Sequence, residues 1–546
     1  MRQAFKLIWQ CDRKAVSLKL FYTFLGSVLP LVNLYVLKLL VDSVANVVSV
    51  GDSQFAIQDS RLLVYALLFC AIALTGRLIG VFNTVNNDKL TQKLTDYIND
   101  LIQRQSIRLD ISYYDNSDYH DTFHRAQSEA AFRPIRILEN IMTVFGSAVS
   151  LAGVVVMLCA VSWQVVAIMV VAAFPAFCVR LSKSRRIYRF RRETTETVRR
   201  SNYYGQLLSN RRYAKEVRAF GLASFIREQY VEMRKMLVDQ LLAISHRLAV
   251  FDAVTAVVES VALCLVLLGL IKPVVGGVIT LGSFVMLFEA FRRGQGYLNS
   301  LVNGVSGLYE HRLFISNLFE FLELTPSIES PANPLPFPEK VESVQFDNVT
   351  FTYPAMNSPV LRNFSLTAKI GEVTLLNGEN GSGKTTVLKL LLRLYDPEKG
   401  SVRINGIDIR QFDVNELRSN ISVIFQDYVP FYFSARENIV FGDIEHGDDA
   451  ERLAESIRRA DAGSVLQSLG KGLDTQLGRM FSEGEELSMG QWQRIALARQ
   501  LYSHASVLFF DEATAWMDSG ARKVFEQTVD ELKGTHVIIL VSHREL

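Results

Sequence analysis

Gly378-Glu379-Asn380-Gly381-Ser382-Gly383-Lys384-Thr385 is the stretch that decides the fold of the C-terminal half of the chain. The apolar, partly β-branched run 373–377 before it predicts a buried strand, and the run 386–394 after it predicts a helix. The pattern G-x-x-x-x-G-K-T between a strand and a helix is typical of a phosphate-binding loop, because glycines let backbone N–H groups surround a phosphate at the positive end of the helix dipole. A chance glycine-rich loop is the alternative, and motifs later in the chain argue against it.

The residue types of this loop predict individual roles. We expect Lys384 to reach the β- and γ-phosphates of a nucleotide, and the Thr385 hydroxyl to be a ligand of Mg²⁺. The predicted nucleotide-binding positions of this stretch are Gly378, Glu379, Asn380, Gly381, Ser382, Gly383, Lys384, Thr385 and Thr386.

A second motif lies further along, where the apolar run 507–510 ends in Asp511 and Glu512. An Asp at the end of such a strand can hold the same Mg²⁺ from the other side. The next acid, Glu512, can accept a proton from an attacking water. A strand followed by a simple capping acid is the alternative, and the position behind a phosphate-binding loop favours the catalytic interpretation.

Composition separates the chain into two different halves. Its 546 residues predict two or more domains. A hydrophobic content of 49% and a mean hydropathy of +0.17 are high for a soluble protein, and the long uncharged runs lie in the first 300 residues. The net charge of +2 argues against a nucleic-acid partner. Five cysteines without a C-x-x-C pair predict free thiols, and the first 19 residues lack the pattern of a cleavable signal peptide.

Six membrane-spanning helices are expected in the first half. The uncharged stretch 140–179 is 40 residues long, and because one span needs about 20 residues, it predicts two spans with a tight turn near 161–164. The predicted spans are 20–37, 62–83, the two within 140–179, 248–271 and 274–291. Lys and Arg concentrate in the N-terminal segment and the long connections, so the positive-inside rule places these in the cytoplasm.

Two long connections, 88–136 and 180–247, are rich in helix formers and predict helices that continue beyond the bilayer. Their centres, 113–121 and 214–221, are candidates for docking on another domain, with a solvated loop as the alternative. The basic run 185–192 is interpreted as a juxtamembrane helix rather than a nucleic-acid site.

Acidic residues at membrane depth are functional candidates by default. Asp252 and Glu259 lie in the fifth predicted span and Glu289 in the sixth. Because the span limits are uncertain by several residues, each acid has a second interpretation as part of a cytoplasmic extension. A cargo-facing role for Glu259 therefore stays open.

The predicted fold is an all-α six-helix transmembrane domain fused to an α/β P-loop NTPase. The transmembrane domain covers 1–320, a linker with five prolines between 325 and 338 lies within 321–340, and the NTPase domain covers 341–546. Helical stretches between strands predict a largely parallel sheet with an antiparallel edge. The predicted strands are 344–346, 350–353, 366–368, 373–377, 402–404, 421–425, 507–510 and 537–541.

With these motifs in this order, the chain resembles an ABC exporter half-transporter over nearly its whole length. The resemblance implies that Tyr353 stacks on adenine, that Gln426 contacts Mg²⁺ and senses the membrane domain, and that His543 is the switch histidine. It makes 487–491 the family's signature motif, with Ser488, Gly490 and Gln491 at the nucleotide, and 515–518 the D-loop, with Asp518 at the nucleotide. The implied catalytic residues are Glu512, His543, Gln426 and Lys384, and the implied metal ligands are Thr385, Gln426 and Asp511.

The resemblance also implies a dimer, since the signature helix of one cassette faces the nucleotide on the opposite cassette. Glu512 has the family's consensus identity, so a homodimer is expected, with a heterodimer as the alternative. Three positions depart from the family pattern: Met489 replaces a glycine, and Trp516 and Met517 replace smaller residues. The chain stops three residues after His543, where family cassettes continue, which leads us to expect a truncated C terminus.

The predicted function is ATP-driven export across a bacterial inner membrane, with ATP and Mg²⁺ as cofactors. The segments 110–126 and 490–499 are similar to bacterial exporters of modified peptides such as lantibiotics. No peptidase domain is expected before the first span. A lipid flippase or multidrug exporter is the main alternative for the cargo. An ATP-binding regulator that does not pump, or an importer on the same fold, is a further alternative.

Overall fold

The structure is a computed structural model that describes residues 2–50, 60–115, 133–160, 163–354, 356–379, 381–447, 449–513 and 517–542. The chain forms two compact units. The first contains Met1–Ser106 and Thr122–Glu323, and the second contains Ile107–Asp121 and Leu324–Leu546. A short part of the connection after the second long helix therefore belongs to the same unit as the NTPase sequence motifs.

The first unit consists of helices and the turns between them. Among the described residues, five helices are long and apolar enough to cross a membrane, over 13–48, 61–108, 134–159, 163–187 and 223–275. The helices that form this unit are α1 (Arg2–Cys11), α2 (Arg13–Val50), α3 (Ser60–Arg108), α5 (Arg133–Cys159), α6 (Trp163–Glu193), α7 (Thr195–Ser209), α8 (Arg211–Ala219), α9 (Ala223–Val275) and α10 (Leu281–Leu322).

The first five predicted spans each lie inside one of these helices. The 40-residue uncharged stretch is indeed two helices, because α5 ends at Cys159 and α6 begins at Trp163. Residues 161 and 162 of the predicted turn lie outside the described residues. The prediction of a multi-helix membrane domain is therefore confirmed.

The predicted limits of the sixth span, 274–291, are wrong. Helix α9 continues to Val275 and ends at a glycine pair, in which Gly277 has a φ of +69°. Helix α10 starts only at Leu281, capped by the Thr280 hydroxyl, which accepts a hydrogen bond of 3.1 Å from the Ser283 N–H. Glu289 and two arginines, Arg292 and Arg293, interrupt the apolar stretch of α10, so this helix is not among the five apolar candidates.

Close helix contacts in this unit depend on small residues. A Cβ on Gly282 of α10 would lie 2.2 Å from the Lys38 carbonyl oxygen of α2, and the Gly282 N–H donates to Asp42 Oδ1 at 2.8 Å. One hydrophobic core joins residues of α2, α5, α6, α9 and α10, including Leu34 and Phe291. The bundle is thus held by packed apolar side chains, together with polar contacts such as that between Gly282 and Asp42.

The described parts of the two long connections are largely helical, and residues 116–132 of the first lie outside the described residues. Helix α3 continues to Arg108, and the region 180–247 consists of helices separated by short breaks. The second predicted docking centre is α8, which is followed by Gly221 with a φ of +66°. The first centre begins in the short helix α4 (Ile111–Tyr114), and its residues 116–121 lie outside the described residues.

The second unit contains two four-stranded sheets. The sheet with strand order β2-β1-β4-β5 is antiparallel, and the sheet with order β3-β8-β7-β6 is parallel. The strands are β1 (Ser343–Phe351), β2 (Leu361–Lys369), β3 (Val373–Leu376), β4 (Lys399–Ile404), β5 (Ile407–Asp408), β6 (Ile421–Ile424), β7 (Val507–Asp511) and β8 (Val537–Val541).

Two details of the predicted sheet are wrong. The predicted strands 344–346 and 350–353 form one strand, β1, whose pairing is interrupted near Asn348, where φ is +47°. The antiparallel strands also form a separate sheet and are not an edge of the parallel one. The irregularity at Asn348 broke the alternating pattern that would have revealed the continuous strand.

Helices pack on these sheets and follow the strands. Helix α11 begins two residues earlier than predicted and ends at Leu391, just before Arg393, whose φ is +47°. The helices of this part are α11 (Lys384–Leu391), α12 (Val414–Ser419), α13 (Ala435–Val440), α14 (Ala450–Arg459), α15 (Gly463–Ser468), α16 (Met489–Tyr502) and α17 (Ser519–Leu532), together with 3₁₀ turns at Ile409–Gln411 and Gly472–Asp474.

The parallel sheet brings the two sequence motifs together. Leu376 at the end of β3 and Asp511 at the end of β7 are both paired with Val541 of β8. The glycine loop after β3 and the acidic pair at the end of β7 therefore lie at the same carboxyl edge, which is where α/β sheets bind ligands.

Candidate functional site

The glycine loop has the backbone conformation that its sequence predicts. Gly381 and Gly383 have φ values of +83° and +98°, which favour glycine. A Cβ on Gly378 would lie 2.6 Å from Ser382 Oγ, so the loop is also too tight there for a side chain. Gly383 is the N-cap of α11, so the loop runs directly into the positive end of this helix. Asn380 lies outside the described residues.

Lys384 is held across the loop. Its side chain is only 9% exposed, and its Nζ donates hydrogen bonds to the carbonyl oxygens of Gly378 at 2.5 Å and Glu379 at 3.1 Å. The ammonium group thus lies against the loop that would surround a phosphate. The charge needed to bind phosphate oxygens is already in place at the loop.

Thr385 and Asp511 meet at the edge of the parallel sheet. The Thr385 hydroxyl donates to Asp511 Oδ2 at 3.3 Å, although the two residues are 126 positions apart. Asp511 is only 3% exposed, and this burial raises the pKa of its carboxyl, while the hydrogen bond from Thr385 opposes the shift. A hydroxyl and a carboxylate from two adjacent elements are the hard oxygen ligands that Mg²⁺ prefers.

Glu512 follows Asp511 in a strained conformation. Its φ is +51°, and its N–H donates to the Val541 carbonyl at 3.2 Å. Its carboxylate oxygen Oε2 accepts a hydrogen bond of 2.9 Å from the Gln426 amide, and Gln493 Nε2 lies 3.5 Å from its carbonyl oxygen. The structure therefore brings Gln426 into direct contact with the predicted catalytic acid.

Tyr353 lies beside the first turn of α11. Its hydroxyl is 3.0 Å from Thr386 Oγ1, and its ring packs edge to face against Phe351 and Tyr395, with centroids 5.0 and 5.3 Å away. Lys389 Nζ is 5.1 Å from the centroid of the Tyr353 ring. Adenine stacking on Tyr353 remains a prediction, and the structure places this ring next to the glycine loop's helix.

The signature residues form the start of α16. The Ser488 hydroxyl accepts from the Gln491 N–H at 3.3 Å, and the Ser488 N–H donates to Gln491 Oε1 at 2.9 Å, which makes a capping box. Gly490 lies in the first turn. The Met489 side chain is 55% exposed, and its carbonyl accepts a bond of 2.7 Å from the Tyr428 hydroxyl. The signature thus presents a structured helix N terminus with Met489 turned to the surface.

Asp518 caps the next helix, α17. Its side chain accepts from the N–H groups of Gly520 at 2.9 Å and Ala521 at 2.8 Å, and pairs with Arg494 at 2.7 Å. The backbone bond from Ala521 and the charge of Arg494 lower the pKa of Asp518. Ala515, Trp516 and the predicted switch histidine His543 lie outside the described residues.

Sequence reasoning missed Tyr395 as part of this site. Its hydroxyl donates to the Asp115 carboxylate, in the segment that follows α3. Nearby, Asp110 accepts bonds from the Ser327 N–H and hydroxyl, and the Tyr113 hydroxyl donates to the Thr325 carbonyl. No local pattern signals these contacts, because they join residues more than 200 positions apart.

Comparison with known protein families gives two matches. The family described as the ABC transporter transmembrane region matches residues 16–293, which is more than half of the chain, and the family described as ABC transporter matches residues 361–515. The second match contains the glycine loop and the acidic pair, and the first contains the five apolar helices.

Individual transport proteins also align with most of this chain. The subtilin transport ATP-binding protein SpaT of Bacillus subtilis is 26% identical, covering 100% of this chain and 87% of its own length. An ATP-dependent lipid A-core flippase of Photobacterium profundum is 30% identical over 70% of this chain and 64% of its own length. A solved structure, described as a bacterial Atm1-family ABC exporter with ATP bound, superposes with a TM-score of 0.76 at 20% identity, covering 97% of this chain and 91% of that one.

Proposed function

The chain belongs to the ABC transporter family, and we propose that two copies of it enclose ATP between their cassettes and export an amphipathic cargo, with a peptide as the first candidate. The protein is an ATP-driven exporter of the ABC type, in which a cassette that hydrolyses ATP is fused to a helical membrane domain. The partner chain, the metal ion and the cargo are parts of our proposal.

One observation carries the catalytic part. Thr385 and Asp511 are in contact at 3.3 Å, and Gln426 holds Glu512 at 2.9 Å, all at one edge of the parallel sheet. The Thr385 hydroxyl and the Asp511 carboxylate fit Mg²⁺, which would neutralise developing phosphate charge when bound. The arrangement separates Asp511, which would hold the metal, from Glu512, which is proposed to act on water.

The residues of this chain have the following proposed roles. Lys384 binds the terminal phosphates, and Glu512 accepts a proton from the attacking water. Gln426 orients Glu512 and that water. The start of α16, with Ser488, directs its N–H groups at the phosphate bound on the partner cassette, since a helix N terminus favours an anion. His543 is proposed to contact the terminal phosphate.

Substitution of Glu512 tests this assignment. Glu512→Gln keeps the size of the side chain and removes the base, so ATP binding should persist while phosphate release falls by about 10²–10⁴-fold. Nucleotide binding and phosphate release are measured on the same preparation. Glu526→Gln is the matched control, because Glu526 pairs with Arg522 on α17 and is expected to leave turnover unchanged. Phosphate release at the wild-type rate in Glu512→Gln would refute the role.

The cargo proposal rests on the named relatives. SpaT is described as a subtilin transport protein and aligns over the whole chain, whereas the lipid A-core flippase aligns over 70% of it. We therefore place a peptide first and a lipid second. Inverted membrane vesicles supplied with ATP in the external medium should accumulate a labelled precursor peptide and leave labelled lipid in place. Lipid movement without peptide accumulation would reverse the order of the two cargoes.

The proposed location is a bacterial inner membrane, with the N terminus and the cassette in the cytoplasm. The basic residues near the N terminus and in 180–247 support this orientation through the positive-inside rule. Accessibility of an engineered surface cysteine in the cassette of intact cells and of inverted vesicles would test the orientation. Labelling in intact cells would contradict it.

A further inference from the structure

A cavity of about 500 Å³ lies inside the first unit, among helices α6, α9 and α10. Four charged side chains line it: Arg180, Lys183, Asp252 and Glu259. Asp252 and Glu259 lie within the fifth predicted span, 248–271, and Arg180 and Lys183 lie on α6 just after the fourth. Charged groups at such positions are costly and are generally retained for a function.

The four charges are not equally paired. Lys183 Nζ lies 3.3 Å from Asp252 Oδ2, so these two side chains neutralise each other. Arg180 is held by the carbonyl of Asn299, to which its Nη1 donates at 3.0 Å. Among the described residues, the ion pairs leave Glu259 without a basic partner, and its carboxylate accepts only a long bond of 3.4 Å from the Asn299 amide. Among the described lining residues, Arg180 and Glu259 are therefore the two charged groups without an ion-pair partner, and Glu259 is the acid of the two.

Neutral polar groups of α10 surround this acid. Gln295, Asn299, Asn303 and Ser306 are spaced by four, four and three residues, which places them on one face of the helix. Gln295 Nε2 lies 3.4 Å from the Glu259 carbonyl oxygen, and Asn303 and Ser306 line the cavity. These groups can accept or donate hydrogen bonds without adding charge, so the Glu259 carboxylate is the negative charge of the described lining that a bound cation can use.

We propose that Glu259 is the cation-binding group of a cargo subsite in this cavity, and that the cargo presents a primary ammonium group to it. An ammonium group has three N–H donors, which match a carboxylate with unused acceptor sites and the amide oxygens of α10. The proposal rests on the exporter function proposed above and names one chemical feature of its cargo.

The test compares two probes on the full-length protein in nanodiscs of phosphatidylcholine. One probe is a 14-residue amphipathic peptide of leucine and lysine, and the other is the same peptide with every amine acetylated, both with a fluorescent label. Binding without ATP is followed by fluorescence anisotropy, against empty nanodiscs as baseline. We expect the wild type to bind the lysine peptide about tenfold more tightly than the acetylated one, the order of gain from one partly buried ion pair.

Variants test which acid is responsible for the preference for the lysine peptide. Glu259→Gln should bind both peptides about equally, whereas Asp252→Asn should keep the preference, because Asp252 is already engaged by Lys183. Glu259→Asp, which keeps the charge and shortens its reach, should retain a preference of a few fold, and it replaces Glu259→Gln as the test if that variant does not fold. Equal binding of both peptides by the wild type would overturn the proposal. So would a loss of preference in Asp252→Asn as large as that in Glu259→Gln.

The experiment also separates this inference from the exporter proposal. Phosphate release is measured on the same nanodiscs, with and without each peptide, and normalised to the rate of each variant alone. Absence of any ATP hydrolysis would contradict the exporter proposal, while the anisotropy preference would still decide the role of Glu259. Hydrolysis without any peptide preference would contradict the subsite alone.

Discussion

Tyr395 is a single residue that joins the nucleotide site to the segment following α3. Its hydroxyl donates to Asp115, and its ring packs edge to face on Tyr353 at 5.3 Å. Tyr353 in turn contacts Thr386 in the first turn of α11. The Tyr353 ring, which is predicted to face adenine, is therefore connected to Asp115 through Tyr395.

Removal of the Tyr395 hydroxyl tests this connection. Tyr395→Phe keeps the ring contacts and leaves the Asp115 carboxylate without its donor, so the free energy of unfolding should fall by about 1 kcal/mol. Burial, with Asp115 beside it, raises the pKa of Tyr395, so the hydroxyl is protonated and donates throughout the working pH range. Denaturant unfolding and the KM for ATP are measured. Asp115→Asn keeps an acceptor but removes the charge, so it should have a smaller effect, and unchanged stability in Tyr395→Phe would contradict a contribution from this bond.

Met489 is the residue where the chain departs from the glycine of the family signature. Its side chain is 55% exposed at the first position of α16, on the surface proposed to approach the partner's nucleotide. Met489→Gly should therefore raise the rate of phosphate release several-fold, since backbone N–H groups could approach phosphate more closely. Met480→Gly is the control, because Met480 is 69% exposed outside this helix start. An equal or lower rate in Met489→Gly would show that this side chain does not limit turnover.

At the scale of elements, local sequence predicted the strand–loop–helix order around the glycine loop, because each of these elements is determined by residues close in sequence. The Thr385–Asp511 contact followed from the rule that ligands bind at the carboxyl edge of parallel strands. The division into two sheets and the Tyr395–Asp115 bond were not predictable in this way. They depend on contacts between distant segments, and the latter joins residues 280 positions apart.

Helix capping provides the prediction at this scale. Ser488 and Ser434 both form capping boxes, with Gln491 and Glu437 as their partners. Replacement of either serine by alanine should lower the free energy of unfolding by about 1 kcal/mol, because one N–H of the first turn loses its acceptor. Only Ser488→Ala should also lower phosphate release, by tenfold or more, since α16 is proposed to face phosphate. Comparable loss of turnover in Ser434→Ala would assign the effect to stability.

At the scale of the whole molecule, each cassette contains two separate groups of functional residues. The glycine loop, Asp511 and Glu512 meet at the edge of one sheet, whereas Ser488 begins a different helix. Among the described residues, no hydrogen bond joins Ser488 or Gln491 to the glycine loop. A two-fold dimer would complete both sites at once, because each chain supplies a loop to one site and a signature to the other.

Mixed dimers test this arrangement directly. Lys384→Ala and Ser488→Ala chains should each be nearly inactive alone. In a mixed dimer both defects fall in one site, so the other site is intact and phosphate release should return to about a quarter of the wild-type rate, because half of the random pairs are mixed. Lys384→Ala mixed with Glu512→Gln is the control. In that dimer the substitution on one chain damages one site and the substitution on the other chain damages the second site, so no intact site remains. Recovery in the control, or none in the test pair, would contradict sites shared between two chains.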